Sequence, residues 1–150
     1  MVEVDDLAPD FELKDQNQKM VRLKDFEGKK VLIAFYPFAF SPVCMEEMGC
    51  FETDMLDFQD RDITIIGISV DSHWTNKAFA EKLEITIPLL SDFNKEVSRK
   101  YGVLRPEGFP DRAYFLIDKS GRITYKKIMD TPGERLENED ILKAITYFIT

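Results

Sequence analysis

Cys44 closes the stretch Pro37-Phe38-Ala39-Phe40-Ser41-Pro42-Val43-Cys44, just past a strand-like apolar run, Val31 to Tyr36, and at the predicted start of a helix. A thiol there meets free backbone N–H groups and the positive end of the helix dipole, and both favour thiolate. Thiolate is the reactive form, so the placement reads as a nucleophile rather than a packing residue. Ser41, three residues earlier, can bring a hydroxyl near the sulfur and hydrogen-bond the thiolate or a substrate oxygen; standing alone it would serve equally as a helix N-cap. Pro37, seven residues earlier, removes a backbone donor, stiffens the loop and can shield the sulfur from water. Ending the strand is an equally good account of it.

The chain holds two cysteines, Cys44 and Cys50, and one histidine, His73. Structural zinc takes four Cys/His ligands, and three candidates do not fill such a site. A Cys/His hydrolase meets the residue count. In a cytosolic protein two nearby cysteines read more readily as catalytic redox thiols than as a staple, although two inert buried thiols satisfy the count as well.

The elements that must position these residues belong to a chain of 150 residues, enough for one domain, residues 1–150, with a sizeable core. A composition 44% hydrophobic and 32% charged fits a globular protein and argues against disorder. No apolar run approaches the roughly 20 residues of a membrane span. The acidic start, Met1-Val2-Glu3-Val4-Asp5-Asp6, lacks the basic residues and apolar stretch of a signal peptide, so a cytoplasmic location is expected. The net charge of −8, from 20 basic and 28 acidic residues, repels phosphate backbones and anionic membranes, so neither nucleic acid nor membrane is an expected partner.

Ala8 to Leu13 alternates as a short strand does, and Val21-Arg22-Leu23 repeats the pattern before a turn at Phe26 to Lys29. Val31 to Tyr36 has the continuous apolar character of a central strand buried on both faces. From Pro42 to about Phe58 the apolar residues Met45, Met48, Phe51, Met55 and Phe58 recur at helical steps, with Pro42 suited to the first turn. Ile63 to Val70 is a second buried strand, Thr75 to Leu83 a short helix, and Ile87 to Leu90 a short strand. Pro88 favours an edge or strand-start position for the last of these. Asn94 to Tyr101 is a helix ended by Gly102. Ala113 to Asp118 and Arg122 to Ile128 flank Lys119-Ser120-Gly121 as a hairpin, and Leu136 to Ile149 closes the chain as a helix with Ile141, Leu142, Ile145 and Phe148 apolar.

Long apolar strands joined by helices imply parallel pairing, and the hairpin adds an antiparallel edge. The expectation is an α/β three-layer sandwich, a mixed central sheet with helices on both faces and an N-terminal extension. The thioredoxin-like fold satisfies this order with the cysteine at a strand-to-helix junction; a flavodoxin-like sheet suits the order alone. In the thioredoxin-like arrangement the loop before Ala113 approaches the start of the first long helix. That makes Arg112 the best source of positive charge for the site, with Arg105 the weaker rival and a surface arginine the ordinary alternative.

Pro-x3-Ser-x2-Cys, spelled by Pro37, Ser41 and Cys44, resembles the active-site signature of peroxiredoxins, Pro-x3-Thr/Ser-x2-Cys. Ala8-Pro9-Asp10-Phe11, Ser69-Val70-Asp71-Ser72, Leu89-Leu90-Ser91-Asp92 and Arg112 ahead of Phe115-Leu116-Ile117-Asp118 extend the resemblance, in order, over nearly the whole chain. The nearest branch is that of the AhpE-like and bacterioferritin-comigratory (PrxQ-type) enzymes. The resemblance implies that Cys44 is the peroxidatic cysteine, that Ser41, Pro37 and Arg112 are its hydroxyl, proline and arginine, and that Glu47 orients that arginine or nearby backbone. Serine in place of the commoner threonine keeps the hydroxyl. Hydrogen peroxide or organic hydroperoxides would be reduced without metal, haem or flavin, Cys44 becoming a sulfenic acid as water or an alcohol is released. The family commonly forms homodimers through loops near the active site, where Phe40 or the Gly102-to-Pro110 loop could contribute.

PrxQ-type enzymes often place a resolving cysteine five residues after the first, whereas here the step is six, Cys44 to Cys50. On an intact helix six residues separate the thiols by about 9 Å along the axis and turn them to different faces. A disulfide needs Cα atoms within about 7 Å, so the helix must unwind, and Gly49 weakens it at a suitable place. The expectation is that Cys50 resolves the sulfenic acid after local unwinding, and that a thioredoxin- or glutaredoxin-like donor reduces the disulfide. In the alternative, Cys50 packs in the core and an external thiol acts directly. Two rival functions share the fold. A thioredoxin-like disulfide oxidoreductase normally carries Cys-x2-Cys, whereas Met45-Glu46-Glu47 follows Cys44. A redox-sensing interaction module would not consume peroxide rapidly. Phe38, Phe40 and Met45 either line an apolar approach favouring organic hydroperoxides or simply pack, and His73 and Trp74 are expected in an exposed loop or at a helix cap.

Overall fold

The continuous apolar run forms β3 (Lys30–Phe35), and every other part of the sheet is built outward from it. A computed structural model describes residues 2–148 and the side chains of residues 2–144. Successive side chains of β3 point to opposite faces: Leu32 and Ala34 enter one apolar cluster, Val31, Ile33 and Phe35 the other. Both faces must therefore be covered, which is why the run lacks polar alternation.

β3 pairs in parallel with β4 (Ile63–Ser69) and antiparallel with β6 (Ala113–Ile117). β4 pairs in parallel with β5 (Leu89–Ser91), β6 forms a hairpin with β7 (Ile123–Ile128), and β1 (Glu12–Lys14) and β2 (Met20–Arg22) add an antiparallel pair beyond β5. The seven strands lie in the order β2-β1-β5-β4-β3-β6-β7. The antiparallel β6 beside the central strand excludes the flavodoxin-like alternative, whose sheet is parallel throughout, and leaves the thioredoxin-like arrangement. α1 (Pro42–Thr53), α2 (Met55–Gln59), α3 (His73–Leu83) and α5 (Asn138–Phe148) cover one face. α4 (Glu96–Lys100) and the N-terminal segment around Phe11 cover the other. Among the described residues no helix is long and apolar enough to cross a membrane.

Several boundaries differ from expectation for local reasons. The single helix expected from Pro42 to Phe58 is two, because Asp54 leaves helical geometry (φ −96°, ψ 11°) and caps α1 while starting α2. The strand expected from Ala8 is confined to Glu12–Lys14, and Leu23 leaves the second strand to begin a 3-10 turn through Phe26. α4 begins at Glu96, after Lys95 takes a left-handed φ of 67°. Pro88 stands just before β5, an internal strand. The expected end of the last helix at Ile149, and its apolar Ile145 and Phe148 side chains, lie outside the described residues.

Gly67 on β4 lets α1 approach the sheet. A Cβ there would lie 3.0 Å from Tyr36 Cε1, 3.1 Å from Leu89 Cδ2 and 3.6 Å from Met48 Sδ, three side chains with no solvent exposure and little room to yield. Gly67→Ala is expected to destabilise the fold by about 1–3 kcal/mol through overpacking, read as a lowered midpoint in chemical unfolding.

Candidate active site

β3 ends at Phe35 and α1 begins at Pro42, so the six residues between them carry the chain across the carboxyl edge of the sheet. Pro37 is buried at the strand end, and Phe40 adopts a left-handed φ of 67°, uncommon for a residue with a side chain. The Ala39 N–H donates to Asp71 Oδ2 at 2.7 Å, tying the loop to the turn after β4. Phe38 packs on Phe109 and Phe40 on Phe79, with ring centroids 4.8 and 5.2 Å apart. Ser41 supplies the N-cap backbone, its carbonyl accepting from Met45 N at 2.9 Å. Its hydroxyl does not cap the helix; it donates to the Phe38 carbonyl at 3.0 Å, within the loop rather than toward the sulfur.

Cys44 is therefore in the first turn of α1, and it is fully buried. Arg112 reaches it because of strand register. Ala113 pairs with Phe35 in the antiparallel β3–β6 ladder, so the residue before Ala113 arrives where β3 gives way to the loop and α1. Its guanidinium, 1% exposed, uses its donors on three partners: Nη2 to Cys44 Sγ at 3.1 Å, Nη1 to Glu47 Oε1 at 2.8 Å, and Nε to the Pro132 carbonyl at 3.1 Å. Glu47, one helical turn after Cys44, is fully buried and accepts a second, short hydrogen bond from the Tyr114 hydroxyl on its other oxygen. Tyr114 in turn accepts from Leu136 N at 3.2 Å.

The electrostatics follow from burial. Burial opposes the charge of Arg112, but Glu47 and then Cys44 outweigh it and hold the guanidinium above its ordinary value. Burial also raises the Glu47 carboxyl, and the Arg112 charge and the hydrogen bonds from Tyr114 and Arg112 offset this only in part. The Tyr114 hydroxyl is pushed up by burial and then by Glu47, so it stays a donor. A permanent cation locked on an acceptor-rich cradle, with one donor aimed at a thiol, can stabilise negative charge on that sulfur and on an oxygen approaching it.

Of the residues singled out from sequence, the fold brings Cys44, Glu47 and Arg112 into direct contact, with Pro37 and Ser41 in the adjoining loop. Arg105 is engaged elsewhere, with Glu107 at 2.8 Å and Asp111 at 3.0 Å. His73 and Trp74 form the first turn of α3, behind the Ser72 cap, which accepts from Thr75 N at 3.2 Å. Cys50 is half-buried with a free thiol, and α1 runs unbroken between it and Cys44. Tyr114 and Arg135 were not singled out, and Asp71 entered only within the motif Ser69-Val70-Asp71-Ser72, without a role. Tyr114 had a legible signal: it stands two residues after Arg112, at the start of the predicted strand, where extended backbone turns both to one side. Asp71 lies in the bend after β4 and Arg135 in the irregular segment before α5, where no periodicity marks them.

The model of the AhpC/TSA family matches residues 4–126. Alkyl hydroperoxide reductase E of Mycobacterium tuberculosis is 38% identical over 153 residues, covering 97% of this chain and 99% of that protein. The reduced 2-Cys peroxiredoxin of Plasmodium vivax superposes with a TM-score of 0.85 at 30% identity, with 96% of each chain covered. Peroxidoxin BcpB of Mycobacterium tuberculosis superposes at 0.88, with 26% identity and 98% of each chain covered. With a family match over most of its length and a relative of this similarity, the chain belongs to the AhpC/TSA family and is a peroxiredoxin, a thiol peroxidase of the AhpE-like/PrxQ-type branch.

Proposed function

We propose that Cys44 is the peroxidatic cysteine and that Arg112, Glu47, Ser41 and Pro37 make up its site. The observation that carries this reading is the buried Arg112 guanidinium, fixed by Glu47 and donating to Cys44 Sγ at 3.1 Å. The Cys44 thiolate attacks the terminal oxygen of a hydroperoxide: the S–O bond forms as the O–O bond breaks, and sulfur is oxidised to sulfenic acid. The departing oxygen takes a proton and leaves as water or an alcohol. Arg112 holds both the sulfur and the peroxide oxygens through this step, and Glu47 fixes its plane. Ser41 turns its hydroxyl from the Phe38 carbonyl to the incoming oxygen, and Pro37 keeps the loop dry behind it. Phe38 and Phe40, 44% and 43% exposed, give this edge an apolar rim, which supports organic hydroperoxides beside hydrogen peroxide and a homodimer through the same loops.

Cys50 then resolves the sulfenic acid after α1 opens, and a thioredoxin- or glutaredoxin-like dithiol returns both cysteines to thiols. The reading rests on Gly49 beside Cys50 and on the partial exposure of Cys50. One observation favours a second reading, direct reduction of Cys44 by an external thiol: α1 is unbroken from Pro42 to Thr53.

Cys44→Ser is expected to abolish peroxide consumption with the circular dichroism unchanged. Arg112→Lys, which keeps the charge and loses the fork, should lower the second-order rate with hydrogen peroxide about 10²-fold in stopped flow.

Mass spectrometry after one equivalent of peroxide should find a Cys44–Cys50 disulfide; an unpaired Cys50 beside oxidised Cys44 sinks internal resolution. A Cβ on Gly49 meets nothing within 4 Å, so Gly49→Ala should stiffen α1 by about 0.5–1 kcal/mol and slow disulfide formation without slowing Cys44 oxidation.

Because the folded Glu47 carboxyl is raised, the folded state holds its proton more tightly than the unfolded chain does. That contribution is complete below the unfolded value of about 4.3 and is lost as pH rises through the folded value. Urea unfolding should therefore show wild type losing stability relative to Glu47→Gln as pH rises from about 4 to about 7.5; a gain would mean that the Arg112 attraction outweighs burial.

A further inference from the structure

Residues 129–138 are bonded to α1, or to Arg112 and Tyr114 beside it, at one point after another. Met129 N donates to the Arg112 carbonyl at 2.9 Å, and the Pro132 carbonyl accepts from Arg112 Nε at 3.1 Å. Leu136 N donates to the Tyr114 hydroxyl at 3.2 Å, and Asn138 Nδ2 donates to Asp54 Oδ2 at 3.0 Å, at the end of α1. Between these anchors Arg135 Nη2 pairs with Glu46 Oε1 at 2.7 Å and lies 3.9 Å from Cys50 Sγ. The Arg135 side chain is only 8% exposed, so it is pinned against the helix rather than free in solvent.

Resting on the reading of Cys50 as the resolving thiol, we propose that Arg135 is a positioning residue, a latch that keeps the Glu46-to-Cys50 stretch helical and sets the rate at which Cys50 reaches oxidised Cys44. In that step Cys50 gives its proton to solvent and its thiolate attacks the sulfur of the Cys44 sulfenic acid. The S–S bond forms as the S–O bond breaks, and the departing hydroxide takes a proton and leaves as water. The Cys50 sulfur is oxidised as the Cys44 sulfur is reduced. Bond formation needs the two Cα atoms within about 7 Å, so residues between the thiols must leave the helix. Glu46 lies inside that stretch and Cys50 ends it. The Arg135–Glu46 pair must therefore break before the disulfide closes, and the surrounding strap keeps Arg135 in place to re-form it.

The test is stopped-flow mixing of the full chain with excess hydrogen peroxide, with quenched samples read by mass spectrometry. Oxidation of Cys44 depends on peroxide concentration and closure of the disulfide does not, so the two rates separate. Arg135→Met keeps the apolar stem and removes the charge; it should speed closure about three- to tenfold and leave Cys44 oxidation unchanged. Arg135→Lys should restore wild-type closure. Glu46→Gln should match Arg135→Met, and the double variant should close no faster than either single one, a non-additivity that general loosening of the helix does not produce. Unchanged or slower closure in Arg135→Met, or additive acceleration in the double variant, overturns the latch. Oxidation of wild-type Cys44 with no disulfide at all overturns the Cys50 reading, and the latch with it, before any variant is made.

Discussion

A guanidinium with almost no access to water is the constraint on which the rest of this molecule depends. Burying a charge costs several kcal/mol unless its partners are complete, and breaking a buried pair by removing one member typically costs about 3–5 kcal/mol. Arg112 meets that demand with a carboxylate, a carbonyl and a thiol. The partners come from two distant parts of the chain: Glu47 and Cys44 from α1, Pro132 from the segment after β7. The ion pair is thus also a joint that fixes α1, β6 and that segment relative to one another.

The same network fixes the Cys44 end of α1. Glu47 is held from both oxygens, by Arg112 and by Tyr114, so neither the arginine nor the first two turns of α1 can shift independently. Gly67 lets those turns lie close on the sheet, with Met48 and Tyr36 filling the space its missing side chain leaves. Around Cys50 itself the packing is lighter. Cys50 is half-buried, Gly49 lacks a side chain to pack, and the Arg135–Glu46 pair is open to water on the glutamate side, 64% exposed.

Much of this is legible in the sequence. The uninterrupted apolar runs marked β3 and β4 as strands buried on both faces, and the Lys119-Ser120-Gly121 turn marked the β6–β7 hairpin. Pro42 at the first helical turn and the strand before it located Cys44 at a strand-to-helix junction. Less was legible where short-range chemistry overrides periodicity. The apolar residues run on through Met55 and Phe58, so the break at Asp54 leaves no trace in the pattern. The Ser41 hydroxyl had two plausible local uses, cap or site, and in the structure it takes a third, the Phe38 carbonyl.

By itself the sequence determined which residues had to be near one another along the chain: Pro37, Ser41, Cys44 and Glu47, one turn of helix and its approach. Their order is local, and local geometry follows from backbone preferences over a few residues. Only the tertiary structure decided what surrounds them. Arg112 reaches Cys44 because β6 runs antiparallel to β3 in one register, and a slip of one residue would turn it to the other face. Tyr114 meets Glu47 from 67 residues away and Arg135 meets Glu46 from 89, separations over which no spacing rule operates.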